Sequence, residues 1–237
     1  MTEELFNDDA YRRTCPARVV RHDDAGIVLD ATIFYPLGGG QPGDTGTLAT
    51  SDGRTLAITD TRRDRETRDI VHVVDASAPR LEAGTEVTLA LDWQRRHRHM
   101  RMHTCMHLLS AVIKAGVTGG NLSDSKGRLD FDAGDMVIDA DAVNAELARL
   151  IAADLPLSVS HVSGEELAAR PDLIKTMSVT PPMHLPDIRL VEIEGADLQP
   201  CGGTHVARTG EIGAVKVAKI ESKGKHNRRV VLVFDET

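Results

Sequence analysis

Two pairs of potential metal ligands, each with a spacing of four residues, constrain this chain more than any other feature of it. His103-Thr-Cys-Met-His107 sets two imidazoles four positions apart, and Cys201-Gly-Gly-Thr-His205 sets a thiol and a third imidazole at the same spacing, 94 positions further on. On a helix an i,i+4 pair projects from one face with Cβ atoms about 5–6 Å apart, so His103 and His107 can share an ion. A thiolate with imidazoles is the ligand set that zinc prefers. A fold that satisfies both pairs must return a glycine-rich loop to one particular helix. The alternative is four histidine and cysteine side chains that only pack or meet solvent.

The surroundings of the first pair read as helix. From about Gln94 to Ala115 the composition is helical, with Gly116 as the expected stop. Met102, Met106, Leu109, Val112, Ile113 and Gly116 follow 3–4 spacing and form the expected buried stripe. His103 and His107 fall at its edge. Cys105 projects nearly opposite to them and is read as a packing thiol.

Residues 1–92 read mostly as strands: Ala17–His22 and Gly26–Ile33 about an Asp-Asp-Ala-Gly turn, then Arg54–Thr61, Ile70–Val74 and Glu86–Trp93. Short strands at this spacing suggest a small barrel or sandwich. The Leu37–Gly46 segment is rich in glycine, but no Gly-Lys-Ser/Thr follows it, so it is read as a structural loop and not a phosphate cradle. From 93 onward helix and strand alternate. Strands are expected at Arg128–Ala133, Met136–Ile138, Leu157–Val162, Ile188–Glu194, Ala214–Ile220 and Arg229–Phe234. Helices are expected at Asp141–Ala153 and Gly164–Arg170, and loops at Met177–Pro186 and Ala196–His205. The expected class is therefore α+β, with a small β-barrel-like domain over 1–92 and an α/β two-layer domain with a mixed or antiparallel sheet over 93–237.

Charge is unevenly divided. The net charge is −8, with 17 acidic and 10 basic side chains in residues 1–92 and 19 and 18 in the remainder. The basic groups of the second part are bunched. Arg95, Arg96, Arg98 and Arg101 precede the helical histidines, and Lys216–Arg229 holds six Lys/Arg residues against Glu221. Bunching of this kind can meet a phosphate backbone locally on an acidic protein; two solvated faces are the other reading. Aromatics are only 3%, so no base-stacking row is expected. Three cysteines in unrelated contexts suggest no disulfide framework, and no window approaches a membrane span. A reducing cytoplasm is the expected location.

Gly202 and Gly203 let the backbone curl around an ion and could turn amide N–H groups toward a substrate oxygen. A purely structural zinc clip fits four protein ligands equally well.

The sequences HTCMHLL and PCGGTHVARTGEIG, with LGGGQPGDTG upstream and IESKGKHNRR downstream, resemble the alanyl-tRNA editing family: the editing domain of alanyl-tRNA synthetase and the freestanding AlaX proteins. The likeness runs from the Gly-rich loop to the C-terminus and is most similar to the medium-length AlaX form. It implies hydrolysis of the ester joining serine or glycine to alanine tRNA, one zinc per chain at His103, His107, Cys201 and His205, and no aminoacylation. No membrane is expected, and no obligate protein partner is evident in the sequence. By the same resemblance Met106, Gly202, Gly203 and Thr204 line the amino-acid site. Met106 departs from the small or hydroxylated residue often found there, and its spacing also suits the core. Arg95, Arg96, Arg98, Lys223, Lys225, Arg228 and Arg229 are the residues expected to hold tRNA phosphates. No Glu or Asp within the two motifs offers a general base, and none is assigned.

Overall fold

A computed structural model describes residues 2–177 and 186–235. Most of the expected loop over 177–186 therefore lies outside the described residues. The strands are β1 (Glu3–Glu4), β2 (Thr14–Asp23), β3 (Gly26–Leu29), β4 (Ala31–Thr32), β5 (Gly46–Thr50), β6 (Thr55–Ile58), β7 (Asp60–Arg63), β8 (Ile70–Val73), β9 (Glu86–Leu91), β10 (Gly116–Leu122), β11 (Lys126–Asp132), β12 (Leu157–Val162), β13 (Ile188–Ile193), β14 (Asp197–Pro200), β15 (Val215–Ser222) and β16 (Asn227–Phe234). The helices are α1 (Trp93–Val112), α2 (Ala140–Ala152) and α3 (Gly164–Ala168). Contacts divide the chain into two units, Met1–Arg98 and His99–Thr237, the division falling within α1. The class is α+β with mostly antiparallel sheets.

In the first unit seven strands form one antiparallel sheet in the order β6-β5-β9-β2-β3-β8-β7. The long strand β2 joins its two halves. Thr14–Arg18 pair with β9, and beyond a bulge between Val19 and Arg21 the strand continues against β3. Period-2 alternation places Cys15, Ala17 and Val19 inward, against Leu29, Leu48, Leu89 and Phe34. The barrel expectation is corrected here. Among the described residues the edge strands β6 and β7 share no ladder; they follow one another in the chain around Thr59, so the sheet does not close by hydrogen bonds. In the Gly-rich loop Gly38 and Gln41 exchange backbone hydrogen bonds around Gly39 and Gly40. Both central residues have positive φ, 56° and 81°, which glycine adopts without strain.

In the second unit two antiparallel sheets form, β10-β11-β16-β15 and β12-β13-β14. Strand β10 was not foreseen, and Gly116 opens it instead of only stopping the helix. Met136–Ile138 is not a strand; those residues lead into α2, whose N-cap Asp139 accepts from the amides of Asp141 and Ala142. Val143, Leu147 and Leu150 form the buried face of α2, and Asn144 Oδ1 accepts the amide of Val217 on β15 at 2.8 Å.

Helix α1 is the organising element. Arg95 N–H reaches Asp92 Oδ1 at 3.2 Å, capping the first turn. From Met102 to Ser110 every residue is buried. Glycines on the sheet make that possible: a Cβ at Gly127 would lie 2.8 Å from Met102 Cγ and Met106 Sδ, and one at Gly120 3.4 Å from Met106 Cε. The methionines therefore rest directly on β10 and β11. Met106 thus occupies the core-stripe position that its helical spacing predicts. Cys105 is fully buried and its thiol is pushed up to about 12 by burial, as befits a packing residue.

Candidate metal centre

A helix buried on all sides is ordinarily apolar throughout, because a buried polar side chain is costly unless partnered. Helix α1 breaks that rule at His103, Thr104, His107 and Ser110, all buried. Each has a partner on β14 or the loop after it. Strand β14 corrects the loop reading of Asp197–Pro200: it pairs with β13 from Ile193↔Asp197 to Leu190↔Pro200. Cys201 follows directly, its amide donating to Arg189 O at 3.1 Å.

The four ligands come together. One ligand atom from each of His103, His107, Cys201 and His205 lies within 4.8 Å of all the others. Cys201 Sγ is 3.3 Å from His205 Nε2 and 3.6 Å from His103 Nε2. The ring of His205 lies 4.4 Å from that of His103 and 4.5 Å from that of His107.

Two of the imidazoles are held from behind. His205 Nδ1 is 3.1 Å from Thr104 Oγ1, which also accepts the Val206 amide at 3.3 Å. His107 Nδ1 is 3.1 Å from Asp197 Oδ2. These contacts leave the Nε2 atoms of both rings for an ion. The loop itself is clamped by Arg189, whose Nη1 donates to Cys201 O at 2.8 Å and Gly203 O at 3.0 Å.

Crowding and burial set the electrostatics of the cluster. Burial opposes ionisation of Cys201, but the imidazoles of His103, His205 and His107 hold its thiol well below the usual range. Burial lowers His107, yet the Cys201 thiolate and the Asp197 carboxylate outweigh it and raise the imidazole to about 9. Burial and the neighbouring His103 push His205 down to about 3. The cluster thus holds a thiolate beside a protonated His107 imidazole, and an ion bound there would displace that proton.

The other expected site residues fall variously. Gly203 N–H points at Cys201 Sγ, 3.4 Å away, so that amide is directed to the sulfur. A Cβ at Gly202 would meet nothing within 4 Å, so this exposed residue faces open space. Thr204 is buried.

Arg96 is a correction. It is fully buried, with Nε 2.9 Å from Asp44 Oδ2, Nη2 on the same carboxylate oxygen and on Ile33 O (2.7 Å), and Nη1 on Ala10 O (3.0 Å). A side chain so enclosed meets no phosphate. Arg95 is half-buried and donates to Gly43 O at 2.7 Å, and Arg98 is also half-buried. Arg229 pairs with Asp130 through Nε at 2.7 Å and Nη2 at 2.8 Å. Arg228 folds onto Ser222 and Gly224 O of its own turn, while Lys223 and Lys225 are exposed at that turn. Among the described residues no helix is long and apolar enough to cross a membrane.

Sequence reading missed Thr104, Asp197, Gln199, Lys175 and Arg189. Asp197, Gln199 and Cys201 do share a period-2 signal, but it speaks only once the segment is recognised as a strand.

A buried imidazole–thiolate cluster joins a helix to a CGGTH loop in an α+β unit, and its four side chains could hold a metal ion. The family described as "Threonyl and Alanyl tRNA synthetase second additional domain" matches residues 188–231, and that described as "tRNA synthetases class II (A)" matches residues 9–95. Over 97% of this chain and 98% of theirs, the sequence is 36% identical to alanyl-tRNA editing protein AlaX-M of Saccharolobus solfataricus and 39% identical to AlaX-M of Methanosarcina barkeri. It is 38% identical to alanine–tRNA ligase of Pyrobaculum calidifontis over 93% of this chain but 25% of the ligase. The chain belongs to the alanyl-tRNA editing protein family.

Proposed function

We propose that the chain is a trans-editing hydrolase that cleaves the ester joining serine or glycine to alanine tRNA, with one zinc ion held by His103, His107, Cys201 and His205, and that it does not aminoacylate. The observation that carries this reading is the convergence of those four ligands in a member of this family. Bound zinc would supply a Lewis acid and a positive anchor for the substrate. The chain's own residues do the remaining work. Arg189 fixes the carbonyls of the Cys201–Gly203 turn, and Gly203 N–H stabilises the thiolate. The space beside Gly202 gives the aminoacyl end a way in. Asp197, the carboxylate hydrogen-bonded to the cluster, is engaged by His107, Gln199 and Lys175, and we assign it no proton-abstracting role.

We further propose Lys223, Lys225 and Arg228 as the residues that hold acceptor-stem phosphates. Each lost contact should flatten the salt dependence of log K by about 0.7–0.9. Arg95, Arg98 and Arg229 are proposed as weaker contributors; Arg95 is engaged by Gly43 O and Arg229 by Asp130. We infer the two-domain division from the composition break near 92, and a cytoplasmic setting from the translation substrate.

The test is to incubate the protein with Ser-, Gly- and Ala-charged alanine tRNA and follow ester loss. Hydrolysis of the first two with Ala-tRNA spared is the expected result. Binding without turnover would instead favour a tRNA-binding module with a structural zinc, which the closed set of four protein ligands also suits. Turnover of small esters irrespective of tRNA would mark a general zinc hydrolase.

A further inference from the structure

Asp197 is buried behind the cluster and accepts three hydrogen bonds. Its Oδ2 takes His107 Nδ1–H at 3.1 Å and Gln199 Nε2–H at 2.6 Å, and its Oδ1 takes the Lys175 ammonium. The same Gln199 nitrogen lies 3.2 Å from Ser110 Oγ, and the Ser110 hydroxyl donates to His107 O at 2.8 Å. The chain of bonds therefore begins and ends on one residue. It leaves the His107 ring, passes through Asp197, Gln199 and Ser110, and returns to the His107 main chain. A closed circuit of this kind fixes the imidazole relative to its own helix backbone. Lys175, a quarter exposed, is the cation that offsets the buried carboxylate.

We propose that Asp197 is a positioning residue of the metal centre: through the Gln199–Ser110 circuit it holds His107 in the tautomer and orientation that present Nε2 to the ion. The proposal rests on the zinc reading given above. A carboxylate behind a ligating histidine fixes the ring and raises its basicity, and loss of such a partner weakens metal binding about 10–100-fold. An Asp197 that served only to fill the core would affect folding and leave the metal's affinity and coordination unchanged.

The experiment measures zinc affinity of the full chain by competition with a chromophoric chelator, together with the absorption spectrum of the Co(II)-substituted protein. The parent, Asp197→Ala and Asp197→Asn are compared. A parent that binds no zinc refutes the metal reading itself and is thereby distinguished from failure of this proposal. With a zinc-binding parent, Asp197→Ala is expected to bind about 10–100-fold more weakly, with a shifted Co(II) spectrum. Asp197→Asn, whose amide oxygen can still accept from Nδ1–H, should recover the parent spectrum and lie between the two in affinity. A folded Asp197→Ala with parent affinity and spectrum overturns the proposal. If that variant does not fold, Asp197→Asn decides: weakened binding supports the proposal and parent affinity overturns it.

Discussion

Thr104 Oγ1 lies 3.1 Å from His205 Nδ1, so the residue after the first helical histidine supports the ligand 101 positions away. The same oxygen accepts the Val206 amide, and the side chain is fully buried. Thr104→Val keeps the shape and removes both acceptor contacts. It should weaken zinc binding about 10-fold or more, while Thr104→Ser stays near the parent. Chelator competition checks this; a valine variant with parent affinity would show that the hydroxyl does not orient His205.

Arg96 and Asp44 form an ion pair whose side chains are 0% and 1% exposed. Removing one partner of a buried pair costs about 3–5 kcal/mol, because the other charge is left uncompensated. Arg96→Met should therefore lower the stability of the Met1–Arg98 unit by about that much, and adding Asp44→Leu should restore much of it. Urea unfolding of the single and double variants measures the difference. Equal stability of Arg96→Met and parent would contradict the role assigned to the pair.

His72 is fully buried, with Nδ1 3.0 Å from Ile27 O and Nε2 2.7 Å from Thr32 Oγ1. Burial depresses its pKa from 6.5 to about 4. Between those values the unfolded chain takes up a proton that the folded chain does not. Stability is thus intact above pH 6.5 and falls by about 3 kcal/mol as pH drops to 4. His72→Gln should flatten that acid slope in denaturant titrations at successive pH values. A parent whose stability is constant from pH 6.5 to 4 would rule this out.

The four clustered side chains were legible because spacing alone puts His103 and His107 on one helical face and sets Cys201 and His205 in a glycine-bearing loop. What supports them was not. Asp197 was hidden by reading β14 as loop, which suspended the alternation linking Asp197, Gln199 and Cys201. Arg96 was hidden by its neighbours: four arginines in seven residues look like a solvated face. Yet Arg96 stands four positions before Met100 and eleven before His107, on the buried side of the same helix. A partner 52 positions away, Asp44, turns it inward, and no local pattern encodes that pairing. Open edges were equally invisible. The strands of the first unit were foreseen in part: β5 was not, and the expected strand Arg54–Thr61 is broken into β6 and β7; closure depends on whether β6 and β7 pair, which is a matter of twist and register.

The measurement that tests the central claim most directly is metal removal and replacement. The protein is stripped by a chelator, reloaded with increasing zinc, and assayed for deacylation of Ser-charged alanine tRNA. Activity should vanish on stripping and return with a break at one zinc per chain, while a Cys201→Ala, His205→Ala double variant should neither retain zinc nor recover. Deacylation at the parent rate by stripped protein, or full zinc occupancy in the double variant, would contradict the account.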